Sequence, residues 1–224
     1  MTASMDLPSF LERLVEMGYQ TSGWEPAHGG LGLDKEQVAS VEEILSRYQV
    51  PRGHDFVGRV LVSACIKVFG SEEQKLLLRD IACSRTQWCQ LFSEPGAGSD
   101  LAGLSTRAVR DGDSWIVNGQ KVWSSSAHNS DFGILLARTD PEQPKHKGIT
   151  CFLVNMHSPG VEVRPLQQMT GGKEFNEVFF TDVLIPENMR LGPENEGWMV
   201  STTALMNERG GLSSRPIIGA GNVD

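Results

Sequence analysis

Residues 112–125 read GDSWIVNGQKVWSS, and this stretch decides the fold class of the second half of the chain. Trp115 and Val117 alternate with other residues, Asn118-Gly119 follows, and a second short run ends at Trp123. Alternation of this kind is typical of half-buried β-strands, and Asn-Gly is the most favoured hairpin dipeptide. The stretch therefore predicts a β-hairpin with Asn118-Gly119 as its turn.

Short runs rich in β-branched and aromatic residues continue on the C-terminal side. Pro, Gly, Asp and Asn separate them, and they occupy residues 131–138, 148–155, 161–166 and 177–184. Such spacing is typical of antiparallel strands in an all-β unit. We therefore expect an antiparallel β-barrel or β-sandwich domain over residues 87–192.

On the N-terminal side, up to about Ser84, apolar residues recur at helical spacing instead. The first three helices are indicated by Phe10, Leu14 and Met17, by Val38, Val41, Leu45 and Tyr48, and by a run from Phe56 to a terminating Gly70. A fourth is expected over residues 72–81. Asp34 with Gln37, and Ser71 with Gln74, resemble capping boxes. Residues 1–86 are therefore predicted to form an N-terminal α-helical domain.

The helical period returns near the C-terminus through Trp198, Val200, Ala204 and Leu205. Glycines and Pro216 in residues 210–224 should weaken that helix. Residues 193–224 are therefore expected to begin a C-terminal helical domain. The predicted fold class is α+β, with an N-terminal α-helical domain, an antiparallel β-barrel or sandwich domain and the start of a C-terminal helix.

Composition narrows the classes of partner and compartment. The formal net charge of -8 argues against a nucleic-acid or anionic membrane surface. The apolar runs are too short to cross a bilayer, so membrane insertion is not expected. The chain does not begin with a signal pattern, so we expect a cytoplasmic protein. The four cysteines form no CxxC pair and have no zinc-like spacing to histidine, so no metal site is expected.

The stretch with the most chemical character is CQLFSEPGAGSD, residues 89–100. Its glycines allow close approach of main-chain amides to a ligand, and Ser93 and Ser99 offer hydroxyl groups. By composition alone an ordinary strand-to-strand turn is the more common explanation, since Gly, Pro, Ser and Asp dominate turns. The residues themselves leave both interpretations open.

The order of motifs resembles that of the acyl-CoA dehydrogenase family. CQLFSEPGAGSD is followed by LAGLSTRA and GDSWIVNGQKVWSS, then by FNEVFFTDVLIP at residues 175–186, GW at 197–198 and NER at 207–209. The similarity runs from roughly Leu7 to Arg209. It implies that the segment around residues 90–99 and the strand at residues 123–125 lie along the ring of a bound FAD.

Carried over residue by residue, the resemblance implies two sets of contacts. The FAD-contacting set is Gln90, Leu91, Phe92, Ser93, Gly98, Ser99, Trp123, Ser124 and Ser125. The acyl-CoA-contacting set is Ser99 and Arg209. Without the resemblance, Trp123 is interpreted as a packed core aromatic residue and Arg209 as a surface partner of Glu208 or another acidic residue.

The resemblance also implies an activity. In the family, a carboxylate removes the α-proton of an acyl-CoA, the β-hydrogen passes to FAD as hydride, and an electron-transfer flavoprotein accepts the electrons. The base is a glutamate in a C-terminal helical bundle, and the only acidic residue after Arg209 is Asp224. We therefore expect no catalytic base in this chain, which then represents a truncated or split dehydrogenase that is inactive alone.

Two other functions remain open at this point. The chain could be a non-catalytic flavin or acyl-CoA-binding subunit of a heteromeric dehydrogenase, and the family architecture implies a homo- or hetero-oligomer. It could also be a structural module without ligands. Ser125, Ser126 and His128 superficially suggest a hydrolase, but no nucleophile elbow surrounds them. HGGLG, residues 28–32, lacks the strand-to-helix context of a dinucleotide fingerprint.

Overall fold

The helical part comes first in the chain, as the periodicity predicts. The structure, a computed structural model, describes residues 6–53 and 55–213. The helices are α1 (Leu7–Glu16), α2 (Lys35–Arg47), a π-helical segment (Val57–Val62) that continues into α3 (Ser63–Phe69), α4 (Glu72–Lys75) and α5 (Leu77–Ala82). The predicted fourth helix is thus two short helices that meet at Leu76.

Local capping fixes several helix starts. Asp6 accepts a hydrogen bond from the Ser9 amide at the start of α1. Both predicted capping boxes are present, because Asp34 pairs reciprocally with Gln37 and Ser71 with Gln74. Each box satisfies amides that the first helical turn leaves free.

One mixed sheet of eight strands forms the second part. The strands are β1 (Trp88–Leu91), β2 (Arg107–Asp111), β3 (Ser114–Ser125), β4 (Phe132–Arg138), β5 (Ile149–Asn155), β6 (Val161–Pro165), β7 (Phe175–Pro186) and β8 (Arg190–Leu191). They pair in the order β6-β7-β3-β2-β4-β5-β8, with β1 added on β4. Its end strands β6 and β8 do not pair, so the fold is a sandwich rather than a closed barrel.

Two pairings depart from the predicted antiparallel arrangement. β1 runs parallel to β4 over four residue pairs, and β2 meets β4 in parallel at Arg107 and Arg138. Parallel neighbours need a long connection between them, and the chain from β1 to β4 passes through β2 and β3 before it returns. Such a nonlocal pairing leaves no signature in the sequence of either strand.

The predicted hairpin turn at Asn118-Gly119 is wrong. The two residues lie inside β3, which is continuous, and the hairpin joins β2 to β3 at Gly112, whose φ is +57°. At Gly119 the register against β7 shifts and φ is +153°, so the glycine forms a β-bulge. Asn118 and Asp182 exchange hydrogen bonds of 3.0 and 2.9 Å across the bulge.

Strands β4 and β5 form the wall between two hydrophobic cores. Ile134 and Leu136 of β4 face the helices, whereas Leu135 and Ala137 face the second layer of strands. In β5, Cys151 faces the helices, and every residue of this strand except the last is buried. Burial on both faces explains why these strands read as continuous apolar runs.

Helix α6 (Gly197–Ser213) brings the chain back to the helical side of this wall. Val200 and Ala204 are fully buried there. The helix continues past Gly210, where the sequence predicts weakening, and the rest of that predicted stretch lies outside the described residues. Among residues 6–53 and 55–213, no helix combines the length and apolar character that a membrane span requires.

Candidate functional site

A cleft of about 840 Å³ opens where the helices, the loop after β1, the end of β3 and α6 converge. Its walls come from five parts of the chain. They are the segment around the π-helix, β1 with residues 92–101, residues 122–126, residues 129–130 and the exposed side of α6. The cleft is therefore built by tertiary structure rather than by any single motif.

The loop after β1 is held as a tight turn. Glu94 and Ala97 exchange backbone hydrogen bonds of 2.9 and 3.0 Å. Neither Gly96 nor Gly98 has a positive φ, and a Cβ atom added at either position meets nothing within 4 Å. The turn dihedrals therefore do not require these glycines. Gly98 lines the cleft, where the missing side chain leaves room for another molecule.

Trp123 reaches the cleft through a second bulge in β3. The register against β7 shifts between Lys121 and Ser124, and Trp123 has a φ of +62°. Its ring is 63% exposed and makes an edge contact with Phe175. A left-handed conformation is unfavourable for a residue with a Cβ atom, so the bulge holds an apolar ring in solvent at a backbone penalty. Trp123 is therefore not the core residue that an aromatic side chain suggests without the resemblance.

The two strand ends on this side of the cleft are joined directly. The Val122 amide donates to the Ser93 carbonyl at 2.9 Å. The Lys121 ammonium group donates to the Phe92 carbonyl at 3.1 Å and to Glu94 Oε1 at 2.8 Å. Lys121 is fully buried, so the contact is an interior ion pair rather than a surface one.

Glu94 is satisfied on all sides. Its carboxylate accepts hydrogen bonds from the Ser105 amide and hydroxyl, the Thr106 amide and Lys121. Burial raises its pKa, but the neighbouring Lys121 charge and these bonds more than offset burial and hold the pKa below its usual range. Burial lowers the pKa of Lys121, and the Glu94 charge opposes that change. Glu94 is thus a structural carboxylate, not a proton carrier.

Most of the site residues implied by the sequence come together in this cleft. Its lining includes Gln90, Phe92, Ser93, Gly98, Ser99, Trp123, Ser125 and Arg209. Two of the expected residues do not line it. Leu91 packs in the core between the strand layers, and the Ser124 side chain is buried with no partner for its hydroxyl oxygen. Successive strand residues face opposite sides, so only the backbone of these two residues is available to a ligand there.

Arg209 and Glu208 both line the cleft from α6. Within the described part of the chain no ion pair joins them, so the surface pairing considered for Arg209 is not formed. The His128 ring contacts the Asn176 side-chain oxygen at 3.0 Å through Nδ1. His128 is therefore hydrogen-bonded to Asn176 rather than to a serine hydroxyl.

Asp55 is a cleft residue that the sequence gives no reason to select. It is 4% exposed, its Oδ1 accepts from the Gly58 amide at 2.9 Å, and its Oδ2 is buried without a partner. Burial raises the pKa of Asp55 to about 6, although the amides of Gly58 and Trp88 and the Arg59 charge oppose that rise. The only sequence signal is its place three residues before Gly58, which is typical of a helix cap.

The fold and the cleft define a class of protein. It has a helical part and an open mixed sheet that share a core, and between them a cleft rimmed by a glycine-containing loop, an exposed indole and serine hydroxyls. Comparison with known sequences identifies the family to which this class belongs. Residues 2–82 match the acyl-CoA dehydrogenase N-terminal domain, and residues 89–183 match the acyl-CoA dehydrogenase middle domain. The chain belongs to the acyl-CoA dehydrogenase family.

Relatives and solved structures agree with this placement. The chain is 41% identical over 206 residues to acyl-CoA dehydrogenase FadE34 of Mycobacterium tuberculosis, covering 92% of this chain and 29% of that one. It is 40% identical over 200 residues to acyl-CoA dehydrogenase IpdE1 of the same organism, covering 89% and 52%. The chain therefore spans about half, or less, of the length of these relatives.

Two solved structures share the fold over nearly the whole chain. The Tcur3481-Tcur3483 steroid acyl-CoA dehydrogenase superposes with a TM-score of 0.80 at 34% identity, covering 93% of this chain and 54% of that one. The ChsE4-ChsE5 complex from Mycobacterium tuberculosis gives a TM-score of 0.76 at 33% identity, covering 90% and 52%. The second name is that of a complex, and the first joins two protein names.

Proposed function

We propose that this chain is the FAD-binding and acyl-CoA-binding part of an acyl-CoA dehydrogenase. The reaction is α,β-dehydrogenation of an acyl-CoA thioester to a trans-2-enoyl-CoA. The observation that carries the proposal is that eight residues implied by the resemblance, from three separate segments of the sequence, line one cleft. These residues come from β1, the loop after it, the β3 bulge and α6, and amino-acid composition alone would not bring them to one cleft.

The donors and surfaces of the cleft fit the flavin ring. Trp123 offers an exposed flat apolar face, and Ser93 and Ser125 offer hydroxyl groups beside it. Gly98 leaves open space where any side chain would intrude. We assign the ring of FAD to Gln90, Phe92, Ser93, Gly98, Ser99, Trp123 and Ser125, with only the backbones of Leu91 and Ser124 taking part. When bound, FAD supplies the two-electron acceptor for the β-hydrogen.

The side chains of this part bind, orient and exclude water. Ser93 and Ser125 would hydrogen-bond polar ring atoms, and Trp123 would cover one face of the ring against solvent. Ser99 would contact both the flavin and the acyl-CoA. Arg209 presents a forked guanidinium that suits the phosphate groups of a nucleotide. We assign no catalytic base among these residues. The carboxylate that removes the α-proton is therefore not among them, and an electron-transfer flavoprotein would receive the electrons.

A second function shares the same cleft. The chain could serve as the flavin or acyl-CoA-binding subunit of a two-chain dehydrogenase, without catalysing the reaction alone. The specific support is that a similar structure, at 33% identity, is named as a complex of ChsE4 with ChsE5, and that another, at 34% identity, carries two joined protein names. Activity of the isolated chain with acyl-CoAs and an artificial electron acceptor would exclude this alternative.

Two glycine substitutions test the flavin site without disturbing the fold. Gly98→Ala places a methyl group in the cleft, whereas Gly96→Ala places one in open space outside its lining. Both should keep or slightly raise thermal stability, since neither position needs glycine and alanine has fewer unfolded conformations. FAD titration followed by flavin fluorescence should show weaker binding to Gly98→Ala, by about tenfold for a shift of about 1.4 kcal/mol. Binding to Gly96→Ala should match that of the original chain.

Equal FAD affinity in both alanine variants would argue that the ring does not approach Gly98. A purified chain that binds no FAD at all would remove the proposed function and favour a structural module.

A further inference from the structure

The buried Lys121–Glu94 pair stands apart from the other ion pairs of the described chain because of where it lies. The side chains of Lys121 and Glu94 are 0% and 4% exposed, whereas both side chains of every other ion pair in the described chain are at least 20% exposed. Exposed pairs contribute little, and a buried pair is not by itself a stabilising device compared with apolar residues. Stability alone therefore does not explain why this pair lies in the interior.

The contacts of the pair connect the two segments that face the cleft. On one side, Lys121 donates to the Phe92 carbonyl and to Glu94, so it holds both residues that flank Ser93. On the other side, Lys121 is the last residue of β3 in regular register before the bulge that carries Trp123. The Val122 amide closes the connection by donating to the Ser93 carbonyl.

Glu94 extends the connection to a third segment. It accepts from the Ser105 and Thr106 amides, which lie just before β2. The Thr106 carbonyl in turn accepts from the Arg138 amide at 2.6 Å, at the end of β4. One buried ion pair thus ties the loop after β1, the start of β2 and the β3 bulge into a single unit.

We propose that Lys121 and Glu94 form a positioning pair that sets the separation of Ser93 and Trp123, and thereby shapes the receptor for the flavin ring. This inference rests on the proposed function for the identity of the ligand. Neither side chain lines the cleft, so the pair acts through Phe92, Ser93 and the Trp123 bulge rather than by touching a ligand. An apolar side chain in place of Lys121 would fill most of the same space but would have no donor for the Phe92 carbonyl.

The test compares three variants of the full chain. Lys121→Met removes the ammonium group and keeps a side chain as long as the rest of lysine. Lys121→Met with Glu94→Gln removes both charges, so no buried charge is left uncompensated. Gln74→Leu is the matched control, because Gln74 is buried and anchors α4 to the Asn188 and Arg190 carbonyls outside the cleft lining.

Each variant is measured for thermal stability, for FAD affinity and for amide hydrogen exchange at Val122 in the flavin-free chain. Lys121→Met should weaken FAD binding by about tenfold or more, and the Val122 amide should exchange faster. The double variant should regain thermal stability without regaining FAD affinity, because it still lacks the donor to Phe92. Gln74→Leu should lower thermal stability with FAD affinity and Val122 exchange unchanged.

Three outcomes would overturn the positioning role. They are unchanged FAD affinity in Lys121→Met, full recovery of FAD affinity in the double variant, and an equal loss of FAD affinity in Gln74→Leu. If the original chain binds no FAD, the proposed function fails separately. Val122 exchange then decides the inference, since equal exchange in the original chain and Lys121→Met contradicts the positioning role.

Discussion

At the scale of single residues, Trp123 is the clearest case of local strain kept at the site. Its φ of +62° lies in the region that glycine tolerates best, yet a large aromatic residue occupies it and remains 63% exposed. Strained, exposed aromatic residues do not stabilise a fold. We therefore explain the position by the proposed contact of the indole with the flavin ring.

Replacing Trp123 should reverse the usual order of alanine and glycine. Both Trp123→Ala and Trp123→Gly lose the edge contact with Phe175, but only alanine keeps a Cβ atom in the left-handed region. We expect Trp123→Gly to be more stable than Trp123→Ala by about 1 kcal/mol in urea unfolding. The control is Val109 on β2, 44% exposed and without a positive φ, where alanine should exceed glycine. The same order at both positions would contradict the strain at Trp123.

Asp55 gives a residue-scale prediction about pH. Its pKa is raised from 3.8 to about 6 by burial, so the folded protein binds this proton more tightly than the unfolded chain does. Its contribution is therefore fully present below the unfolded pKa, and the free energy of unfolding falls as the pH rises from about 4 to about 6. Asp55→Asn retains an oxygen for the Gly58 amide but does not titrate.

The measurement compares urea unfolding of the original chain and Asp55→Asn across this pH range. The original chain should lose roughly 2 kcal/mol relative to the variant between pH 4 and pH 6, with little further change above about pH 7. Other titrating groups are common to both proteins and cancel in the difference. Parallel pH profiles for the two proteins would show that Asp55 ionises normally.

At the scale of elements, α2 differs from the other long helices because none of its residues is buried. Its apolar residues Ile44 and Tyr48, the latter at the C-cap, are 53% and 74% exposed. A capping box and the Arg47–Glu43 and Arg52–Glu42 pairs support it locally. The helix is therefore held by its ends and by surface contacts rather than by a core.

Tyr48→Ser should change the free energy of unfolding by no more than about 0.5 kcal/mol, as expected for an exposed site. Leu61→Ala, at a residue 1% exposed in the core beside α6, should reduce it by about 2–5 kcal/mol. Urea unfolding at two protein concentrations provides the check. A large, concentration-dependent effect of Tyr48→Ser would indicate that another copy covers this face in solution.

The elements also show which features a sequence can predict. The capping boxes were predictable because Asp34 with Gln37, and Ser71 with Gln74, satisfy each other within one turn. The Asn118-Gly119 dipeptide does not form the predicted turn, because a glycine also suits a β-bulge and the pairing of β3 with β7 that continues through it is nonlocal. The parallel pairing of β1 with β4 is equally nonlocal.

The same distinction applies to the site. The resemblance selects the segments that line the cleft, but strand alternation decides which side chains of those segments face it. Leu91 and Ser124, each next to lining residues, have buried side chains, so the FAD contacts proposed for these two residues are limited to their backbones. Asp55 could not have been found, because its burial comes from the packing of the π-helical segment on β1 rather than from local sequence.

At the scale of the whole molecule, the helical and β parts are joined by a common core. One hydrophobic cluster contains Leu61 and Cys65 of the helical part together with Ile134 and Cys151 of the sheet. This cluster crosses the predicted boundary between residues 86 and 87. The limits of the two domains remain predictions. The two parts share buried apolar residues, so they should not unfold one after the other.

We therefore expect a single cooperative unfolding transition. Far-ultraviolet circular dichroism, which follows mainly the helices, and the fluorescence of tryptophan, which includes buried Trp88 and Trp115 of the strands, should give coincident urea curves. Leu61→Ala on the helical side and Val178→Ala in the core between the strand layers should each move both curves together. Leu184→Ala, 57% exposed on β7, is the control and should move neither. Because β4 and β5 belong to both cores, loss of either core removes one face of their burial. A variant that shifts only one of the two probes would show that the shared wall does not couple them.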